Sequence, residues 1–173
     1  MKLNDLLSHS SEWLKGIGPN SDIIISSRIR LARNLQGRPF PHWANKTQSE
    51  ENAAAIFAAS QKVDLLKNNT IFKLLEMDNV DKQFLVERHL MSRELISKTD
   101  SKAVIIDNDE IISIMVNEED HLRMQVMKSG FDLLDAWEIM NRIDDLLSKE
   151  LCFAFSADLG YLTACPTNTG TGM

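Results

Sequence analysis

Apolar positions change their period several times along the chain, and each change predicts an element. Leu3, Leu6, Leu7 and Leu14 recur at near-helical spacing behind Asn4, and Gly16-Ile17-Gly18-Pro19 stops them, which predicts a short amphipathic helix over 3–15. Ile23-Ile24-Ile25 reads as a buried strand running into Ser26-Ser27-Arg28-Ile29-Arg30-Leu31-Ala32-Arg33-Asn34. Period two along that extension puts Arg28 and Arg30 on one face, with Ile29 and Leu31 on the other. Gly37-Arg38-Pro39-Phe40-Pro41-His42-Trp43 is a turn-rich connection. Thr47-Gln48-Ser49-Glu50 then has the form of a capping box, followed by Ile56, Ala59, Val63 and Leu66 at helical spacing, with Asn68-Asn69 closing the helix.

Further on, 71–77 reads as a strand, and 82–95 has no clear period. Residues 103–106 and 111–116 are apolar runs around a polar four-residue loop, which is a hairpin signal. Leu133, Trp137, Met140, Ile143 and Leu147 form a helical stripe over 131–149. Two more strands are expected at 151–155 and 161–165 about a turn at 156–160, and 166–173 has loop composition. Helices and strands do not alternate strictly and hairpins are frequent. The expected fold class is therefore α+β, a largely antiparallel sheet flanked by helices, in a single domain over 1–173.

Composition narrows the function classes. The 173 residues are 43% hydrophobic and 25% charged, enough for one globular core without repeats or low-complexity tracts. A net charge of -6 argues against general nucleic-acid binding, so any anion site has to be local. No apolar run has the length of a membrane span and no signal-peptide core follows Met1, so no membrane partner is expected and the location reads as cytoplasmic. Cys152 and Cys165 fit neither a disulfide framework nor a zinc spacing.

Candidate chemistry concentrates in Asn117-Glu118-Glu119-Asp120-His121-Leu122-Arg123, where a predicted strand leaves the core; a solvated turn is the alternative. The paired forks of Arg28 and Arg30 suit a polyphosphate, because each binds two oxygens in plane and keeps its charge; a surface ladder with acidic neighbours is the alternative. His89, taken alone, reads as a surface or core-edge histidine. The chain lacks a G-x-x-x-x-G-K-[ST] loop, a G-x-G-x-x-G turn and the H-R-D and D-F-G pairs, so a nucleotide would have to be held by arginines.

Three blocks in order, 26–34, 117–123 and Gly160-Tyr161-Leu162-Thr163-Ala164-Cys165-Pro166-Thr167-Asn168, resemble the signatures of the ATP:guanido phosphotransferases, or phosphagen kinases. Within that family the chain is most similar to bacterial protein-arginine kinases, because the first block starts at Ser26 with no helical domain ahead of it. The resemblance implies an incomplete guanido kinase catalytic fold that transfers the γ-phosphoryl of ATP, with Mg²⁺, to arginine side chains of proteins. It implies that Arg28, Arg30 and Arg123, with Ser27 and His89, sit at the nucleotide. It makes Glu119 the base that holds the guanidinium, places Cys165 beside it, and makes Glu118 and Asp120 its neighbours. Partners implied are proteins with exposed arginine; an activator protein and a homo-oligomer are left open. Family members continue past this point with further phosphate-binding arginines and a mobile loop, so this chain is expected to be truncated and inactive or nearly so. The alternatives are a non-catalytic nucleotide-binding or interaction relic, and a kinase of small guanidino metabolites.

Overall fold

The computed structural model describes residues 10–97 and 100–173. Most of the predicted helix over 3–15 lies outside the described residues; within them, Glu12–Leu14 forms one 3₁₀ turn. Strands β1 (Ser26–Arg33), β2 (Thr70–Lys73), β3 (Ala103–Ile106), β4 (Ile112–Val116) and β5 (Leu122–Ser129) build one sheet in the order β1-β5-β4-β3-β2. Every neighbouring pair is antiparallel. Among the described residues four helices accompany it: α1 (Lys46–Lys62), α2 (Asn79–Glu87), α3 (Arg93–Ile96) and α4 (Leu133–Ser148). A small hairpin of β6 (Phe155–Ser156) and β7 (Gly160–Tyr161) follows. The antiparallel α+β class is as expected.

Period two decides which face each side chain meets. Leu31 of β1, Ile114 and Val116 of β4, and Leu122, Met124 and Val126 of β5 pack on one face against Ile56 and Ala59 of α1 and Met140, Ile143 and Leu147 of α4. On the opposite face, Val104, Ile106 and Met115 are covered by Leu74, Leu85, Leu90 and Leu95 from the α2 and α3 region. That second cover extends over only the β2 to β4 part of the sheet. At the β1 and β5 end the same face carries Arg28, Arg30, Arg123 and Gln125, paired in register as Arg30 with Gln125 and Ala32 with Arg123. No apolar layer forms there because the alternation supplies charges instead. Among the described residues no helix is long and apolar enough to cross a membrane.

Several boundaries depart from the sequence expectation. Ile23-Ile24-Ile25 is not a buried strand: Ile23 and Ile25 are 81% and 69% exposed. The amides of Ile23 and Ile24 both bond back to Asn20 O, in a turn whose Asn20 has φ +51°, and β1 begins only at Ser26. The cap of α1 is Asn45, whose side chain accepts from Gln48 N while Gln48 Oε1 accepts from Asn45 N, so the helix starts earlier than a Thr47 cap implies. It also ends at Lys62, well before Asn68-Asn69, although Val63 and Leu66 remain buried in a following turn. Residues 71–77 divide into β2 and a 3₁₀ turn, Leu74–Glu76. The strands expected at 151–155 and 161–165 shrink to the two-residue β6 and β7. Leu133 and Trp137 lie at the exposed margin of the α4 stripe. The sequence pattern does not predict β5, the interior strand between β1 and β4.

The C-terminal segment returns to β1, where Ala32 N donates to Gly172 O at 2.7 Å. Gly172 has φ +76°, and a Cβ there would collide with Ala32 O and the Arg33 guanidinium, so the close approach requires glycine.

Candidate active site

The turn between β4 and β5 brings the acidic cluster together. Asn117 has φ +56°, and its amide donates to His121 O at 3.0 Å, closing a tight turn. Asn117, Glu118, Asp120 and His121 are buried and only Glu119 faces water, so the solvated-turn alternative fails. Apart from Asn117 Oδ1, the buried polar side chains of this loop are paired. Asp120 accepts from the amide of Ala164 at 2.6 Å and from Asn34 Nδ2. Asn34 Oδ1 in turn accepts from His121 N at 2.9 Å, and its Nδ2 also donates to Leu162 O. Asp120 and Asn34 therefore tie all three sequence blocks into one unit. His121 accepts from Leu35 N at Nδ1, and its Nε2 lies 3.1 Å from Pro39 O and 2.8 Å from Asn52 Nδ2. Burial pushes this imidazole down to about 4, against the Pro39 hydrogen bond and with help from Arg38, so it is neutral at ordinary pH.

Glu118 has both oxygens engaged, one by the Ser92 hydroxyl and one by Arg123 Nη1 at 2.9 Å. It acts as the counter-ion that aims Arg123. Burial alone would lower the Arg123 pKa, but the Glu118 hydrogen bond and charge, with Glu119 and Glu94, outweigh it and raise the value. Arg30 behaves oppositely: burial first, then repulsion by Arg28 and Arg123, holds it below the usual guanidinium value. Neither Arg28 nor Arg30 makes a salt bridge among the described residues, so the ladder alternative is not realised.

Arg28, Arg30 and Arg123 share a cleft of about 430 Å³ with Arg93, His89 and Gln125. His89 sits between α2 and α3 with φ +59°, its carbonyl accepting from Gln125 Nε2 and its ring edge-on to Trp13, centroids 5.3 Å apart. Arg93 was missed because 82–95 showed no clear period; the signal available was Ser92, which caps α3 and leaves Arg93 in its first turn. Ser27 is absent from this cleft. Its hydroxyl donates to Gly130 O and accepts from Asp132 N, so it fastens the start of α4 to β1. Cys165 is partly exposed, its Sγ 2.9 Å from Thr167 Oγ1, and it follows the residue whose amide binds Asp120. Glu119 and Cys165 are thus both adjacent to the Asp120 link.

Four arginines against one glutamate, Glu87, line the cleft, a donor-rich surface suited to a polyanion with several oxygens. Among the described residues no three carboxylate, imidazole or thiol side chains gather as a metal cage. The antiparallel sheet thus carries these arginines on its uncovered half-face, beside the carboxylate loop. Residues 50–173 match the ATP:guanido phosphotransferase, C-terminal catalytic domain, and the chain belongs to that family. Among curated relatives, it is 48% identical over 177 residues to the protein-arginine kinase of Pelotomaculum thermopropionicum and 46% over 177 residues to that of Symbiobacterium thermophilum. Each alignment covers 100% of this chain and 50% of the relative, so the chain spans about half the length of the curated relatives it matches. Among solved structures, the substrate-free duplicated taurocyamine kinase from Schistosoma mansoni superposes with a TM-score of 0.81 at 28% identity, covering 99% of this chain and 25% of that one.

Proposed function

We propose that this chain contributes the phosphate-clamping part of a protein-arginine kinase, which moves the γ-phosphoryl group of ATP to the guanidinium of arginine residues in proteins. The observation that carries the reading is the convergence of Arg28, Arg30, Arg93 and Arg123 on one cleft, coupled through Glu118 to the loop that exposes Glu119. In phosphoryl transfer the protein mainly positions the reactants and neutralises charge on the equatorial oxygens, which fixed guanidiniums do without reorganising. Mg²⁺ bound to the nucleotide supplies the remaining neutralisation. The acceptor is the harder chemical problem, because a guanidinium is protonated and a poor nucleophile. Glu119 holds it by two N–H groups and takes one proton as the N–P bond forms and the bond from phosphorus to the ADP oxygen breaks. Cys165 lies beside the guanidinium, and His89 borders the nucleotide.

Calorimetry with ATP tests the clamp. Arg28→Ala or Arg123→Ala should each weaken binding by about 1.5–3 kcal/mol, the scale of a hydrogen bond to a charged group; unchanged affinity removes the assignment. Transfer is assayed as acid-labile phosphate on an arginine-rich protein, using this chain and a chain extended to the length of the relatives. Equal transfer by Glu119→Gln in the active form would refute the base. ATP binding without transfer by either form would leave a nucleotide-binding module.

A further inference from the structure

The stretch Gly37-Arg38-Pro39-Phe40-Pro41-His42-Trp43 takes no part in the phosphate cleft, yet the fold holds it firmly beside the acidic loop. Arg38 Nη1 donates to Asn52 Oδ1 at 2.6 Å and Pro39 O accepts from the buried His121. The amides of Trp43 and Ala44 both donate to Phe40 O, at 2.9 and 3.0 Å. The rings of Phe40 and His42 are tilted with centroids 6.4 Å apart, and His42 meets Trp43 edge-on at 6.0 Å. On this braced turn the Trp43 side chain is 80% exposed. A braced indole facing water is an unused binding anchor, since tryptophan offers large contact area at little entropic cost.

Beside the turn lies a cavity of about 570 Å³, bordered by Pro41, His42, Lys46, Ser101, Asn117 and Glu118. This volume falls within the range of ligand sites. Its wall is the loop that carries Glu119, and Glu118 links it to the cleft by holding Arg123. Asn117 spends its Nδ2 on Ser49 O and Ser101 O, both at 2.8 Å. Asn117 Oδ1 and Ser101 Oγ have no hydrogen-bond partner among the described residues, and Asn117 is buried.

We propose that this cavity and the Trp43 turn are the docking subsite for the stretch of acceptor polypeptide next to the target arginine. The inference rests on the acceptor being a protein, as above. A flanking segment lies in extended form from Trp43 into the cavity, its side-chain stems on the indole, while the arginine reaches Glu119. A free guanidino metabolite has no flanking residues and would use neither Trp43 nor the cavity.

The test is binding of a fluorescein-labelled Gly-Leu-Arg-Leu-Gly peptide to the full chain, read by anisotropy. Calorimetry with ATP runs on the same samples. Trp43→Ala should weaken the peptide about tenfold, as for an interface anchor, and Trp43→Phe should recover part of the loss. ATP affinity should not change in either variant. Equal peptide affinity in the parent and Trp43→Ala overturns the subsite, as does a parent that binds ATP but no peptide. A parent that fails to bind ATP refutes the proposed function instead; the peptide arm then still decides the subsite, with a Trp43-dependent affinity supporting it and an independent or absent one overturning it.

Discussion

Glu118→Gln separates two effects that a single carboxylate combines, because Glu118 both anchors Arg123 and offsets the charge of the arginine cluster. Glutamine keeps the shape and one acceptor oxygen but loses the charge. Hydrogen bonds to charged groups contribute about 1.5–3 kcal/mol and neutral ones roughly half as much, so the contact at 2.9 Å loses about 1 kcal/mol. The Ser92 contact weakens as well, and Arg123 is left facing Arg28 and Arg30 with only Glu119 and Glu94 to offset its charge. Breaking a fully buried pair costs about 3–5 kcal/mol. Because the Arg123 side chain is 26% exposed and Glu118 only 3%, solvent recovers part of that cost. The expected destabilisation is about 2 kcal/mol, or about 4–8 °C in melting temperature for a chain of this size. Ligand response should move the other way. Pyrophosphate supplies the missing negative charge, so it should raise the melting temperature of Glu118→Gln more than that of the parent, while Arg123→Ala should respond least. Thermal unfolding followed by circular dichroism, with and without pyrophosphate, reads both quantities. Equal melting of parent and Glu118→Gln in buffer, or a pyrophosphate response no larger than the parent's, would refute the counter-ion role.

Arg33→Met should cost about 3–5 kcal/mol in urea unfolding, because the buried Asp144 then loses bonds of 2.9 and 2.7 Å; adding Asp144→Leu should recover much of it. Asp120→Ala should loosen the link to Ala164 and speed the reaction of Cys165 with a thiol reagent, whereas unchanged Cys165 reactivity would deny that link. Two buried groups should act against each other with pH. His121 at about 4, below its usual value of about 6.5, makes the unfolded state the better proton binder, so its contribution to stability falls as pH drops through that window. Asp107, raised to about 6 chiefly by burial despite its bond from Ile112 N, makes the folded state the better binder between about 4 and 6, so its contribution falls as pH rises. Each amounts to about 3 kcal/mol at most. Asp107→Asn should therefore lose stability toward acid relative to the parent, and a constant difference between the two in urea titrations from pH 6.5 to 4.5 would contradict the pairing.

Local pattern was enough for the hairpin of β3 and β4, the α4 stripe and the shared face of Arg28 and Arg30, because each depends on a period within a few residues. The family blocks likewise pointed to the acidic loop and Arg123 from sequence alone. β5 escaped because Leu122, Met124 and Val126 alternate with Arg123 and Gln125 directly behind the acidic cluster, where the charges masked the strand. Ile23-Ile24-Ile25 misled because apolar composition does not supply a packing partner, and Asn20 takes the amides that a strand would have used. Which of the serines, acids and arginines reach the cleft was decided only by the tertiary structure. Ser27 and Arg28 are adjacent in sequence, yet one fastens α4 and the other lines the cleft. Glu118 and Glu119 are adjacent too, one buried on Arg123 and one in water. The chain alone determined which chemical groups exist and the faces they alternate between. Their assignment depended on the helices covering one half of a sheet face and leaving the other half to arginines, a contact between distant segments that no local period encodes.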